Sequence, residues 1–283
     1  MLFLKVVLYE TKSDMKIAVY TGKVEPGGGE RVKALLARLE QAGVVLYNVR
    51  SDQELDQDTD MLMSVGGDGT FLTASMSAAQ LGIPVVGVNL GRLGFLSENR
   101  PEDVSEALLS GEYSLENRSL LRAELADGQS QCIYALNEVT VHRNGAAMLE
   151  VEVTIDGVAL PTYWADGLIV STSSGSTAYS LSAGGPIVLP DAKVLIITPI
   201  SPHNLNVRPL IVPDTTEISL KVSSRDKKVV FTADNRSEKV PVGSVVNISL
   251  AQFSLKRVRL NKYDFINALT EKLYWGEDVR NIK

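Results

Sequence analysis

Apolar positions in the first 112 residues follow two alternating periods. Short apolar runs at Lys16 to Thr21, Val44 to Val49, Met61 to Val65 and Val85 to Val88 predict strands. Between the first two, Val32, Leu35, Leu36 and Leu39 fall at i, i+3, i+4 and i+7, which predicts a helix over Glu30 to Ala42 closed by Gly43. A second helix is predicted from Phe71 to Leu81. A third opens at Pro101, with Glu102 and Asp103 in its first turn, and closes at Gly111. Strands alternating with helices predict a parallel sheet covered by helices, with ligands at the carboxyl ends of its strands.

The second half changes character. Leu120 to Leu125 and Gln131 to Leu136 flank Asp127-Gly128, and Leu149 to Ile155 and Val158 to Tyr163 flank Asp156-Gly157. Both are hairpin signatures, because Asp-Gly accepts the positive φ angles of a type I′ turn. Further β-rich runs are Glu217 to Val222, Val229 to Ala233, Val245 to Leu250 and Phe253 to Leu260. They predict antiparallel sheets arranged as a sandwich. The expected organisation is an α/β domain over 1–112, with 1–14 an optional extension, a β-rich domain over 113–261, and a last segment, 262–283. That segment carries a helix from Tyr263 to Tyr274 that packs back on the first domain. The basic cluster Arg225-Asp226-Lys227-Lys228 reads as a solvated hairpin turn.

Composition narrows the function more than the fold. The net charge is −6 and no basic block occurs, which argues against binding nucleic acid through phosphates. A single cysteine, Cys132, excludes an internal disulfide and a thiolate zinc cluster and favours a reducing compartment. Two histidines, His142 and His203, leave no room for His-rich metal chemistry, and no fixed protein metal site is expected. The uncharged stretch Gly167 to Pro190 is too rich in Ser, Thr and Gly to span a bilayer. Lys5 interrupts the apolar start, which also lacks a small-residue cleavage site. The expectation is a soluble, cytoplasmic protein.

Three segments carry candidate chemistry. Gly66-Gly67-Asp68-Gly69-Thr70 is neither a Walker A loop nor a G-x-G-x-x-G fingerprint, yet it is a phosphate-type turn. Its glycines let a ligand approach the backbone, and the following helix presents free N–H groups. Gly66, Gly67 and Thr70 are the phosphate-binding candidates. Asp68 is unusual there, since a carboxylate repels polyphosphate unless it accepts a proton from a nucleophile or works with Mg²⁺. The competing reading is a cap for the helix starting at Phe71. The second segment, Gly167 to Pro190 with Gly175-Ser176-Thr177-Ala178-Tyr179-Ser180-Leu181-Ser182 at its centre, reads either as a wall of hydroxyl donors for a polar ligand or as a small-residue helix packed on a neighbour. Asp166, just before it, holds a ribose or carboxamide or simply ends a strand. The third segment, Asn137-Glu138, offers acceptors for ribose hydroxyls or an amine, or is a solvated strand end. His203 reads as a loop anchor, and no Ser-His-Asp arrangement is present.

In this order the segments resemble the NAD kinase family. The matching stretches are Gly66 to Thr70, Gly87-Val88-Asn89 through Gly94-Phe95-Leu96, Asn137-Glu138, Asp166-Gly167, Gly175 to Pro186 and Arg208-Pro209-Leu210. The resemblance implies ATP-dependent phosphorylation of the adenosine ribose 2′-hydroxyl of NAD, with Mg²⁺ accompanying ATP. It implies Asp68 as general base with Gly69 beside it, and Asn137 and Glu138 on the adenosine moiety. Asp166 would lie at the substrate, with Ser174, Thr177, Ala178, Tyr179 and Ser182 lining the NAD pocket. Phe95 would stand near the adenine, and Asp234 and Asn235 at a further contact. It also implies a dimer or tetramer.

Two positions depart from the family pattern. Thr172-Ser173-Ser174-Gly175 stands where members often read Thr-Pro-Thr-Gly, and Trp164 stands where many carry Arg. Trp can stack or donate one N–H, whereas Arg pairs with phosphate or carboxylate. Two other readings share parts of the pattern. One is a lipid or sphingoid-base kinase with the same Gly-Gly-Asp-Gly turn, which would want a basic membrane-facing patch that this chain lacks. The other is a catalytically silent NAD-binding regulator, in which Asp68 would gain nothing.

Overall fold

The structure, a computed structural model, describes residues 15–22, 29–50, 55–91, 94–126, 132–260 and 265–275. The expected extension at 1–14 and the Asp127-Gly128 turn lie outside the described residues. The chain opens with β1 (Lys16–Tyr20), α1 (Glu30–Gln41), β2 (Val45–Val49), β3 (Met61–Val65), α2 (Asp68–Leu81), β4 (Val85–Val88), α3 (Pro101–Ser110) and β5 (Tyr113–Arg118). It continues through β6 (Leu121–Leu125), β7 (Cys132–Ala135), β8 (Glu138–Arg143), β9 (Leu149–Ile155), β10 (Val158–Ala159), β11 (Tyr163–Ala165) and β12 (Gly167–Thr172). A 3₁₀ turn, Ser174–Thr177, leads into α4 (Tyr179–Ser182) and β13 (Val194–Ile200). Then come β14 (Leu210–Pro213), β15 (Ile218–Ser224), β16 (Lys228–Ala233), β17 (Arg236–Pro241), β18 (Val245–Leu250), β19 (Leu255–Leu260) and α5 (Phe265–Leu273).

These elements form two compact units, one of residues 1–117 with 255–283 and one of 118–254. The first carries a six-stranded sheet in the order β2-β1-β3-β4-β19-β5. Its pairs from β2 to β19 are parallel. Every residue of β3 and β4 is buried, as expected for central strands covered on both faces. Val32, Leu35 and Leu39 turn the apolar stripe of α1 into this core. Gly82 (φ 71°) and Gly111 (φ 72°) end α2 and α3 in the left-handed conformation that glycine allows.

The second unit is all-antiparallel. A seven-stranded sheet runs β10-β9-β15-β18-β6-β7, with β11 also on β9, and a six-stranded sheet runs β14-β13-β12-β8-β16-β17. One core joins them: Leu149, Val151 and Val153 of β9 with Leu220 and Val222 of β15 come from the first sheet, and Leu168, Val170 and Phe231 from the second. Asp156 (φ 48°) and Gly157 (φ 80°) form the expected type I′ turn. The predicted second limb, Val158 to Tyr163, is split. β10 holds two residues, and pairing resumes at Tyr163↔Val151, because Pro161 between them has no N–H for the ladder.

The unit boundaries differ from the sequence expectation. Leu255–Leu260 pairs in parallel with β4 through Arg257↔Val85, so it belongs to the first sheet and not to the β-rich half. An alternating strand reads alike in either sheet, and its membership is decided by partners far away in the chain.

Candidate active site

Parallel register brings the first candidate segment to the carboxyl edge of the sheet. Leu62↔Val85 through Val65↔Val88 aligns β3 with β4, so the turns after them lie side by side, tied by the Gly66 N–H on the Val88 carbonyl at 2.9 Å. Gly66 has φ 149°, and a Cβ there would lie 2.5 Å from Thr70 Oγ1, so only glycine fits. At Gly67 and Gly69 a Cβ would meet nothing within 4 Å, which leaves the outer side of the turn open.

The helix starts at Asp68, three residues earlier than its apolar pattern shows, and Gly67 stands at the cap with no side-chain cap bond. The cap reading of Asp68 is therefore replaced by a different arrangement. Its Oδ2 accepts the Phe95 N–H at 2.9 Å, and its Oδ1 accepts those of Leu96 at 3.1 Å and Ser97 at 2.9 Å. A Cβ at Gly94 would fall 1.9 Å from Asp68 Oδ1, so the carboxylate occupies the space a side chain would take. Ser97 Oγ donates to the Gly66 carbonyl at 2.7 Å and Asn89 Nδ2 to the Ser97 carbonyl at 2.8 Å. The turn and the 94–97 loop are thus one hydrogen-bonded body.

Beneath that loop lies a buried charge cluster. Arg257, 2% exposed, donates from Nε to the Leu96 carbonyl at 3.3 Å and pairs with Glu98 and with Glu116. Burial works against its charge, but the two carboxylates outweigh that and hold the guanidinium protonated. On the open side stands Lys272 of α5, with Nζ 3.6 Å from Asp68 Oδ2 and 4.0 Å from the centroid of the Phe95 ring. Phe95 also meets Phe265, ring to ring, at 5.8 Å. Phe265 and Lys272 thus set α5 on the Phe95 ring.

In the second unit Asn137 and Glu138 are fixed by Asp234. The Asp234 carboxylate accepts N–H groups from Leu136 at 2.8 Å, Asn137 at 2.9 Å and Glu138 at 3.2 Å. Asp234 sits at φ 49° in the two-residue turn that it forms with Asn235, which is exposed. Burial raises its pKa against those N–H groups. The Glu138 carboxyl is pushed up to about 7, first by burial and then by Asp234, while the Tyr179 N–H opposes the shift. Glu138 Oε2 is buried with no hydrogen-bond partner among the described residues. A buried acceptor left open in this way is aimed at a ligand or carries a proton.

The Ser/Thr/Gly-rich segment combines both of its readings. Ser176 Oγ donates to the Val188 carbonyl at 3.0 Å, Ser173 Oγ to that of Pro190 at 2.9 Å, and Ser180 bonds Thr198 of β13 at 2.9 Å. Ser174 Oγ accepts from Arg118 at 3.3 Å. Those hydroxyls tie the segment to the loop at Val188 and Pro190, to β13 through Thr198, and to Arg118. Thr177 and Ala178 are half-buried, Tyr179 and Ser182 are exposed, and the Thr177 hydroxyl donates to the Ser174 carbonyl at 3.4 Å. Gly175 presses on Asn137: a Cβ there would lie 2.1 Å from the Asn137 carbonyl oxygen. Ser173 keeps φ −57°, within the range a proline ring imposes, so the departure from the family pattern leaves the backbone in place.

Asp166 is not gathered with Glu138. The β8–β12 register pairs Ser171 with Glu138 but Gly167 with His142, which places Asp166 at the opposite end of the strand pair. There its Oδ1 pairs with Arg143 Nε at 2.9 Å. The side chain of nearby Trp164 is 37% exposed.

Family models match most of the chain: the ATP-NAD kinase N-terminal domain over residues 19–111 and the C-terminal domain over residues 136–260. The chain belongs to the ATP-NAD kinase family. It is a phosphotransferase, and the lipid-kinase and silent-regulator readings fall away. An NAD kinase of Bacteroides fragilis is 42% identical, covering 94% of this chain and 100% of that one. One of Flavobacterium psychrophilum is 40% identical, with 89% and 88% covered. The solved structure of an NAD kinase from Archaeoglobus fulgidus in complex with ATP has a TM-score of 0.74 at 28% identity, over 91% of this chain and 98% of that one. A yeast NADH kinase complexed with NADH shares the fold, with a TM-score of 0.83 at 24% identity, covering 95% and 90%. The family's Gly-Gly-Asp-Gly turn was legible in the sequence. Lys272 and Arg257 were not, because a lysine on an amphipathic helix and an arginine on a strand carry no local signal.

Proposed function

We propose that this kinase phosphorylates NAD at the adenosine ribose 2′-hydroxyl with ATP, and that Asp68 receives the hydroxyl proton. The observation that carries the proposal is the Asp68 carboxylate, fixed by three N–H groups in a turn whose outer side is open. Its Oδ2 accepts one of those N–H groups, so a hydroxyl can share it. The 2′-oxygen forms a bond to the γ-phosphorus, the bond from that phosphorus to the β,γ-bridging oxygen breaks, and ADP leaves with the negative charge. Orientation and charge compensation supply most of the rate in such transfers. Gly66, Gly67, Gly69 and Thr70 are the phosphate-side candidates. Asn137, Glu138, Thr177, Ala178, Tyr179, Ser182 and Asn235 are those for NAD, with the open Glu138 oxygen as the acceptor. Ser174 serves that wall from behind, and Asp166 serves NAD from the far end of its strand.

Mg²⁺ enters with ATP, held by the phosphates. Among the described residues no three His, Cys, Asp or Glu side chains are grouped as metal ligands. No helix among them is long and apolar enough to cross a membrane. A cytoplasmic setting fits the free Cys132. A homo-oligomer, dimer or tetramer, is supported by apolar residues left in the open: Leu205 is 87% exposed, and Leu210 and Ile211 stand out on the edge strand β14. Light scattering should give at least twice the 30.7 kDa chain mass, and a monomer at working concentration would refute this.

The activity is tested by incubating the purified protein with NAD, ATP and Mg²⁺ and reading NADP in a coupled assay specific for it. NADP should accumulate only when all three are present. No NADP under any donor or divalent cation would overturn the reading.

A further inference from the structure

Resting on that reading, we propose that Lys272 is a further catalytic residue, whose ammonium binds an oxygen of the phosphoryl group as it passes from ATP to NAD. The turn that holds Asp68 has no cationic side chain of its own and lacks the lysine of a Walker loop. Charge spreading over the transferred group's oxygens needs compensation at that spot. Lys272 supplies it from another part of the chain. Its Nζ lies 3.6 Å from Asp68 Oδ2, next to the oxygen that takes the proton, so the phosphorus attacked by that hydroxyl must come within reach.

The contact is not explained by what Asp68 itself requires. The carboxylate already accepts three backbone N–H groups, and at 3.6 Å the ammonium makes an ion pair too long for a good hydrogen bond. The lysine is aimed instead by the Phe95 ring, 4.0 Å below the ammonium, and by its place on α5, whose Phe265 rests on the same ring. Partial burial pulls its pKa down against the pull of Asp68, so holding a cation here is costly until an anion arrives. Gly67 and Gly69, on either side of Asp68, leave open space where their Cβ atoms would stand.

The test compares wild type with Lys272→Met and Lys272→Arg in the full chain. K272M should lower kcat by a factor of about 10² to 10³, the usual loss for one donor to a developing anion, while KM for NAD stays within about twofold. K272R keeps the charge and should recover most of that loss. Wild-type kcat in K272M would overturn the proposal, as would a loss of kcat that K272R does not relieve. A rise in KM for NAD with kcat unchanged would also overturn it, by assigning Lys272 to the NAD pyrophosphate. If the wild-type chain forms no NADP, the functional reading fails, and calorimetric titration of ATP with Mg²⁺ still decides Lys272. K272M should then bind ATP at least about tenfold more weakly, and equal affinities would overturn the role.

Discussion

Asp68 and Glu138 are both carboxylates, but their surroundings give them different tasks. Asp68 accepts N–H groups on both oxygens, so Asp68→Asn must turn its NH₂ toward at least one backbone donor. We expect kcat to fall by a factor on the order of 10² to 10⁴ and stability to fall by about 1 kcal/mol, the cost of one hydrogen bond lost at a half-buried carboxylate. A turnover assay beside a urea melt separates the two effects, and wild-type turnover would end the general-base role. Glu138 has its pKa raised to about 7, above the ordinary 4.5. The unfolded chain then releases this proton first as pH rises, so stability is full below about pH 4.5, declines up to about pH 7 and levels off above. Glu138→Gln should remove this decline, gaining on wild type between about pH 5 and pH 8 by up to roughly 3 kcal/mol. It should also raise KM for NAD about tenfold if the open oxygen holds a substrate hydroxyl. Urea melts at both pH values check the first effect, and equal differences at the two would refute it.

At the scale of elements, close approach rather than side-chain chemistry sets the 3₁₀ turn against β8, the wall proposed to face NAD. The Asn137 carbonyl oxygen leaves no room for a Cβ on Gly175, and both sides of that contact are backbone. Gly175→Ala must therefore push the 3₁₀ turn away from β8. It should cost about 1–3 kcal/mol, as overpacking does, and raise KM for NAD more than it lowers kcat. Steady-state kinetics and a thermal melt check this, and an unchanged KM would show that the turn does not shape the pocket. Elements of this kind were unevenly legible. Met61–Val65, Val85–Val88, Leu149–Ile155 and Val245–Leu250 stand where the apolar runs and periods put them. Val194–Ile200 escaped because it is buried on both faces, one by the sandwich core and one by the segment holding Ser180, so its sequence has no alternation. Arg236–Pro241 escaped for the opposite reason, as an edge strand with mostly exposed polar positions. The start of α2 was misplaced because Asp68, Gly69 and Thr70 continue the helix without apolar residues to mark it.

At the scale of the whole molecule, the first unit depends on a strand from the far end of the chain. β19 lies between β4 and β5, and its Val258 and Leu260 enter the same core as Val86, Val88 and Tyr113. A fragment of residues 1–112, a domain by sequence periodicity alone, lacks both β5 and β19, which leaves β4 with an open edge and removes Tyr113, Val258 and Leu260 from the core. Arg257, which holds the Leu96 carbonyl, is lost with it. We expect this fragment to show no cooperative thermal transition by circular dichroism. Joining 1–117 directly to 255–283 should restore one. Ser114 Oγ bonds the Arg259 carbonyl and Glu116 pairs with Arg257, so the strands run oppositely and bring residues 117 and 255 near enough for a short Gly-Ser linker. The second unit is then an insertion between two neighbouring strands of the first sheet, and the linked unit keeps Phe95, Leu96, Ser97 and Lys272 around Asp68. Cooperative melting of 1–112 alone would show that the returning strand is dispensable. Failure of the linked unit to melt cooperatively would show that the first sheet needs the second unit to fold.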